Sequence, residues 1–198
     1  MIRTAFFDMG NVLVFFSNQR MCEQVGLLCK KTPQEIEDIF FRTSMQVDFE
    51  CGRLSKEQLH QQFEAAVGEQ IEIEKLQLAV ADIFTLNAAI LPILDDLKSR
   101  RIRLVVLSNT NELHAAFIRD NFDILDRFDD FVFSHEVGAM KPSATIYEAA
   151  LKKAHCEPHE CFYTDDIEEY VLAAREFGIQ AKLFTGTEDL NQSLAAIL

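Results

Sequence analysis

Apolar runs separated by amphipathic stretches set the rhythm of the last two-thirds of the chain. Ile102 to Leu107 is a continuous Val- and Leu-rich run, short enough for a strand buried on both faces. A helix follows over Asn111 to Asn121, then the short strand Phe131-Val132-Phe133 and a helix over Ala144 to Ala154. Cys161-Phe162-Tyr163 is the next strand. The helix from Glu168 to Phe177 stops at Gly178, a residue suited to ending a helix, and Gln180 to Phe184 is the last strand. Together with the first apolar run, Ala5-Phe6-Phe7, this alternation predicts an α/β protein with a Rossmann-like, doubly wound parallel sheet.

The stretch from Ser17 to Thr85 has a different pattern, with helical signals and no strand. Thr32-Pro33-Gln34-Glu35 combines a capping box with proline at the first helical position. Ser55-Lys56-Glu57-Gln58 is a second capping box. Leu59, Phe63, Ala66 and Val67, and later Leu76, Val80, Ile83 and Phe84, recur at helical spacing. The expected organisation is a core domain of residues 1–16 and 86–198, with a helical cap domain inserted over 17–85 that covers the strand ends and excludes water. Pro92 marks either the start or a kink of the helix before the second core strand, because a proline inside a helix costs about 3 kcal/mol.

Polar chemistry collects where the core strands end. Asp8 closes the first run and precedes Met9-Gly10-Asn11. Ser108-Asn109 follow the second strand, Lys141-Pro142 the third, and Asp165-Asp166 the fourth. In an open α/β sheet the ligand crevice lies beyond the carboxyl ends of the strands, so these four segments line one edge. Their residue types are complementary. A carboxylate attacking a phosphate dianion meets repulsion of about 4 kcal/mol per charge pair at close range. A divalent ion held by Asp8 and an aspartate of the 165–166 pair offsets it, and Mg²⁺ suits such oxygen ligands. Lys141 adds a fixed positive charge, while the Ser108 hydroxyl and neighbouring backbone N–H groups can hold phosphoryl oxygens.

Composition narrows the partners. The chain has 198 residues, 48% apolar and 26% charged, enough for one core or a core with a small accessory domain. A net charge of −13 argues against nucleic acid and requires a local cation for any anionic substrate. Apolar runs such as Ala88 to Leu94 fall far short of the roughly 20 residues of a membrane span. With no leader-like start, and five cysteines without a CxxC pair, the expectation is a cytoplasmic protein with reduced thiols. No G-x-x-x-x-G-K or G-x-G-x-x-G is present, which removes kinase and NTPase readings.

Other clusters carry less. His155, Cys156, His159 and Cys161 match no standard zinc spacing, with Pro158 between them. Asp120, Asp123, Asp126, Asp129 and Asp130 read as a solvated acidic turn, not a calcium loop. Phe15, Phe16, Phe40, Phe41 and Phe49 are assigned to the cap interior, one or two of them facing the crevice. Arg53 belongs either to the surface or to the substrate side.

Four segments resemble, in order, the motifs of the haloacid dehalogenase-like (HAD) hydrolases. They are Phe7-Asp8-Met9-Gly10-Asn11-Val12-Leu13, Leu107-Ser108-Asn109-Thr110-Asn111, Met140-Lys141-Pro142 with Ile146-Tyr147, and Phe162-Tyr163-Thr164-Asp165-Asp166. Phe49-Glu50-Cys51-Gly52-Arg53-Leu54-Ser55 resembles the cap segment of the subgroup that includes the α-D-glucose-1-phosphate phosphatases. The resemblance implies a Mg²⁺-dependent phosphohydrolase of small phosphorylated metabolites, monomeric or homodimeric. Asp8 would be the nucleophile, forming an aspartyl-phosphate, and Lys141 the second catalytic residue. Met9, Gly10, Ser108, Asn109 and Lys141 would bind the phosphoryl group. Asp8, the Gly10 carbonyl and Asp166 would hold the metal, with Asp165 beside them or supporting them.

Two positions depart from that family. Gly10 stands where most members carry a second aspartate, an acid–base group of a kind that contributes roughly 10²–10⁴-fold. Its absence favours sugar 1-phosphates or acyl phosphates, whose leaving groups need less help. The subgroup shares this glycine. It also leaves open a non-catalytic binding or regulatory protein on the same scaffold, and a dehalogenase, which needs no metal, is a further alternative. Tyr170 stands where the subgroup has asparagine, which bears on the support of Asp166.

Overall fold

In the computed structural model, which describes residues 1–198, the first apolar run is strand β1 (Thr4–Phe7), buried at every position. β2 (Val14–Phe16) follows, then five helices: α1 (Asn18–Cys29), α2 (Pro33–Phe41), α3 (Met45–Glu50), α4 (Lys56–Val67) and α5 (Ile73–Ala81). After β3 (Phe84–Leu86) strand and helix alternate: α6 (Leu91–Ser99), β4 (Arg103–Ser108), α7 (Glu112–Asn121), β5 (Asp130–Phe133), the short α8 (Ser134–Val137), α9 (Ala144–Ala154), β6 (Cys161–Asp165), α10 (Glu168–Glu176), β7 (Gln180–Leu183) and α11 (Thr187–Ala195).

The main sheet has the order β5-β4-β1-β6-β7 and is parallel throughout. β1 is central, with Phe7 opposite Val106 on one side and Thr164 on the other. The chain builds outward through β4 and β5, then crosses β1 to build β6 and β7. The order therefore reverses beside β1, the place where an open α/β sheet forms its ligand crevice.

Successive side chains of a strand face opposite ways, and β1 feeds two cores. Phe6 packs with Val105, Tyr147 and Tyr163. Phe7 belongs to a larger cluster that continues through Val12 and Leu13 into Met21, Ile36, Phe40 and Phe63. The helical segment thus shares its apolar core with one face of the sheet.

The expected caps are present. Thr32 and Glu35 form a capping box with Pro33 in the first turn of α2, and Ser55 and Gln58 do the same for α4. Pro92 lies in the first turn of α6, so that helix starts there and is not kinked. The structure differs from the sequence reading at the ends of the helical segment. β2 and β3 form an antiparallel ribbon, with Phe16 opposite Phe84. Three-residue strands are too short to show alternation. Phe84 also continues the apolar spacing of α5 by coincidence, although that helix ends at Ala81. On α4, Leu59, Phe63 and Val67 carry the burial while Ala66 is exposed. No helix is long and apolar enough to cross a membrane.

Candidate active site

β1 delivers Asp8 to the crevice. The Asp8 amide still donates to the Thr164 carbonyl at 3.0 Å, extending the ladder one residue past the strand. The chain then turns through Asn11, which adopts a left-handed φ of 54°, a conformation Asn tolerates better than most residues. The amides of Leu13 and Val14 both return to the Met9 carbonyl, at 2.9 and 3.0 Å. The turn leaves Asp8 almost fully buried.

Lys141 reaches the same point from the loop between α8 and α9. Asn109 fixes its backbone: the Lys141 amide donates to Asn109 Oδ1 at 2.7 Å, and Asn109 Nδ2 donates to the Lys141 carbonyl at 3.1 Å. Lys141 Nζ donates to Asp8 Oδ1 at 2.8 Å and to Asp165 Oδ2 at 2.6 Å. It also lies 3.2 Å from the Leu107 carbonyl and from Tyr163 Oη. The Tyr163 hydroxyl donates to Asp165 Oδ2, and the Ile167 amide donates to Asp165 Oδ1 at 2.8 Å.

These contacts set the charges. Burial penalises the Asp8 carboxylate and, with Asp165 nearby, pushes its pKa up to about 7 despite Lys141. Burial alone would push the Lys141 ammonium down, but Asp8 and Asp165 outweigh it and hold the group above its ordinary value. A buried lysine kept charged between carboxylates is a strong local field for an anion.

Carboxylate oxygens of Asp8, Asp165 and Asp166 lie within 4.8 Å of one another. Such an all-oxygen, three-carboxylate set fits a hard divalent cation such as Mg²⁺. The three are not equivalent. Both oxygens of Asp165 are committed to Lys141, Tyr163 and the Ile167 amide. Asp8 Oδ2 and Asp166 Oδ1 have no side-chain partner in the protein, while Asp166 Oδ2 accepts from Asn11 Nδ2 at 3.0 Å. Asp8 and Asp166 are therefore the carboxylates free to hold an ion. Tyr170 makes no hydrogen bond to Asp166. Its ring centroid is 5.1 Å from Lys141 Nζ and its hydroxyl accepts from Asn109 Nδ2 at 3.4 Å, so it screens the lysine.

A cavity of about 160 Å³ lies next to this cluster, between sheet edge and helical segment; Asp8, Lys141, Asp165 and Asp166 do not line it themselves, but the chain neighbours of Asp8 do. Met9, Gly10, Ser108 and Asn109 line its floor, and the segment contributes Phe16, Phe40, Phe41 and Phe49. More of the phenylalanines face the crevice than the sequence suggested, and Phe15 is exposed. Arg53 is outside the cavity, paired with Asp48 at 2.6 Å on the surface.

The sequence reading missed several residues that line or support the site. Thr110 lines the cavity with a buried hydroxyl that has no partner in the protein. Gln46, Glu50 and His114 line it as well. Tyr163 lies beneath, two residues before Asp165 on β6 and hence on the same sheet face. That period-two relationship is the signal that could have found it. Two contacts hold the segment down. The Lys56 amide donates to Glu112 Oε1 at 2.8 Å. Gly52 is pressed against the His135 carbonyl, 2.2 Å from where a Cβ would stand.

A family model described as haloacid dehalogenase-like hydrolase matches residues 2–178. The chain is 24% identical to a D-ribitol-5-phosphate phosphatase of Bacteroides thetaiotaomicron, over 206 aligned residues covering 100% of this chain and 99% of the relative. A HAD family enzyme of the same organism, solved in complex with magnesium and inorganic phosphate, superposes with a TM-score of 0.87 at 24% identity, covering 98% of this chain and 99% of that one. L-2-haloacid dehalogenase from Xanthobacter autotrophicus, with chloropropionic acid covalently bound, gives a TM-score of 0.67 at 17% identity over 100% of this chain and 84% of that one.

Proposed function

This chain belongs to the haloacid dehalogenase-like hydrolases, and from that membership we propose that it is a Mg²⁺-dependent phosphatase of small phosphorylated carbohydrates, acting through Asp8. The observation that carries the reading is Lys141 Nζ, buried between Asp8 at 2.8 Å and Asp165 at 2.6 Å. Asp166, a further carboxylate beside Asp8 with a free oxygen, separates this reading from dehalogenation, which needs no metal. The relative named as a D-ribitol-5-phosphate phosphatase supports the substrate class. So does the unpartnered Thr110 hydroxyl, a ready partner for a substrate hydroxyl.

In this reading Asp8 attacks phosphorus and becomes an aspartyl-phosphate, which water then hydrolyses. Lys141 and Ser108 hold the phosphoryl oxygens as charge shifts, and Asn109 keeps the Lys141 backbone in place. Asp8, Asp166 and the Gly10 carbonyl would hold Mg²⁺, which supplies charge neutralisation of the phosphoryl group when bound. Asp165 and Tyr163 orient Lys141. Residues 17–85 serve as the cap that closes over the crevice. Sugar 1-phosphates and acyl phosphates ask least of a site whose position 10 carries no acid.

The test is phosphate release from a panel of sugar, polyol and acyl phosphates with Mg²⁺ and then with EDTA. Release that stops on chelation, with phosphoryl found on the Asp8 peptide after acid quench, supports the proposal. Release that ignores EDTA points to other chemistry. Gly10, with Phe16 packed over it, favours a second reading: a binding protein on this scaffold. Calorimetric binding of a phosphorylated sugar without turnover across the panel would establish that one.

A further inference from the structure

The acid–base work that position 10 lacks needs another group on the cavity wall. A side chain at Gly10 would begin 4.0 Å from Asp8 Oδ2, next to the nucleophile, but that space belongs to Phe16, whose Cε1 is 3.0 Å away. An aromatic ring, and no acid, therefore occupies the space beside Gly10.

Among the residues lining the cavity only Glu50 and His114 can titrate. His114 is fully engaged. Its Nε2 lies 3.2 Å from the Val80 carbonyl and its Nδ1 lies 3.1 Å from Asn111 Nδ2, so Nε2 donates and Nδ1 accepts. Burial presses its pKa down to about 4, which keeps the ring neutral. Glu50 is different. It ends α3 on the cap side, and its one bond is from Gln46 Nε2 to Oε1 at 2.9 Å. No cation pairs with it, and Oε2 has no partner in the protein. Burial pushes its carboxyl above the ordinary range, only partly offset by the Gln46 amide. Its position is anchored, because Gly52, two residues on, is the glycine pressed against the His135 carbonyl.

We propose that Glu50 is the general acid–base of phosphoryl transfer, presented to the leaving oxygen from the wall of the cavity that Met9 and Gly10, the residues after Asp8, also line. The inference rests on the phosphatase reading above. In the first step an Asp8 oxygen bonds to phosphorus and the ester P–O bond breaks. Its electron pair stays on the leaving oxygen, which takes the proton from the Glu50 carboxyl and departs as the alcohol. In the second step the Glu50 carboxylate takes a proton from water as the water oxygen bonds to phosphorus. The P–O bond to Asp8 breaks, its electron pair returns to the Asp8 carboxylate, and phosphate leaves with Glu50 protonated again. An acid in this place extends the accessible substrates from anomeric and acyl phosphates to ordinary alkyl esters.

The experiment compares wild type, Glu50→Gln and Glu50→Asp on p-nitrophenyl phosphate, whose leaving group needs no proton, and on an alkyl ester, ribitol 5-phosphate, with Mg²⁺. Thermal unfolding of each variant checks that it is folded. Expected for Glu50→Gln is a burst of one equivalent of nitrophenolate at the wild-type rate, with phosphoryl trapped on Asp8, then turnover slowed by roughly 10²–10⁴-fold. On the alkyl ester the burst is absent and the first step itself is slowed. Glu50→Asp, which keeps a carboxyl, recovers part of both rates. Three results overturn the proposal. The first is Glu50→Gln equal to wild type on both substrates. The second is a raised KM on the polyol ester alone with kcat intact, making Glu50 a hydroxyl-binding residue. The third is both first steps slowed equally. If wild type itself releases nothing from any phosphate, the phosphatase reading has failed and takes this inference with it.

Discussion

The Phe16 ring fills the space a side chain at Gly10 would need, with Cε1 3.0 Å from the Cβ position. The loss of an acid at position 10 is thus a coordinated feature of two residues. Gly10→Asp alone is expected to lower phosphatase activity and to cost about 1–3 kcal/mol in urea unfolding, as overpacking does. Adding Phe16→Ala should relieve part of both losses. A single Gly10→Asp variant that gains activity at no cost in stability would contradict this packing relationship.

Tyr163 tests the positioning of Lys141. Its hydroxyl donates to Asp165 and lies 3.2 Å from Lys141 Nζ. Tyr163→Phe leaves a buried carboxylate one donor short, which costs about 1–3 kcal/mol. The expected pattern is a lower urea midpoint and a reduced kcat with KM little changed. An unchanged midpoint would show that the hydroxyl is dispensable.

Gly52 tests how the helical segment is docked. Its φ is +66°, and a Cβ would stand 2.2 Å from the His135 carbonyl oxygen. Gly68 is a matched control, with φ +75° and open space around it. Gly68→Ala should cost only the roughly 1–2 kcal/mol of a left-handed alanine. Gly52→Ala should cost clearly more and reduce activity as well, measured by urea unfolding and phosphate release. Equal costs would mean that the backbone contact with His135 contributes nothing.

Acid stability reports on His114. Burial lowers its folded pKa to about 4 from an ordinary 6.5. Below pH 6.5 the unfolded chain takes up a proton that the native ring refuses, so stability falls as pH drops from 6.5 toward 4. His114→Gln should flatten that part of the stability curve and leave its slope above pH 7 unchanged. A wild-type slope in the variant would place the titration elsewhere.

The sheet was legible because fully buried strands are written as short apolar runs and the intervening helices as amphipathic ones. β4, β5, β6 and β7 lie within a residue or two of their expected positions, and α9 at its expected bounds. The candidate site was legible where polar groups sit at strand ends, as with Asp8, Ser108 and the 165–166 pair, and in Lys141, which lies beyond α8 in the loop that follows β5. The division between Asp165 and Asp166 was not. It depends on which carboxylate Lys141 and Tyr163 engage, a matter of side-chain geometry across three segments. The ribbon of β2 and β3 escaped because three residues show no period. Glu50 and His114 escaped because their place on the cavity wall depends on how the helical segment docks onto the core, which no local pattern encodes.

Asp8 is the point on which the chemistry turns. The most direct measurement is Mg²⁺-dependent phosphate release from a carbohydrate phosphate by Asp8→Asn beside wild type, with both proteins shown to be folded. Expected is steady release by wild type and a loss of at least about 10³-fold in the variant, as for removal of a covalent nucleophile. Release by Asp8→Asn at the wild-type rate would contradict the assignment of Asp8 as the group that attacks phosphorus.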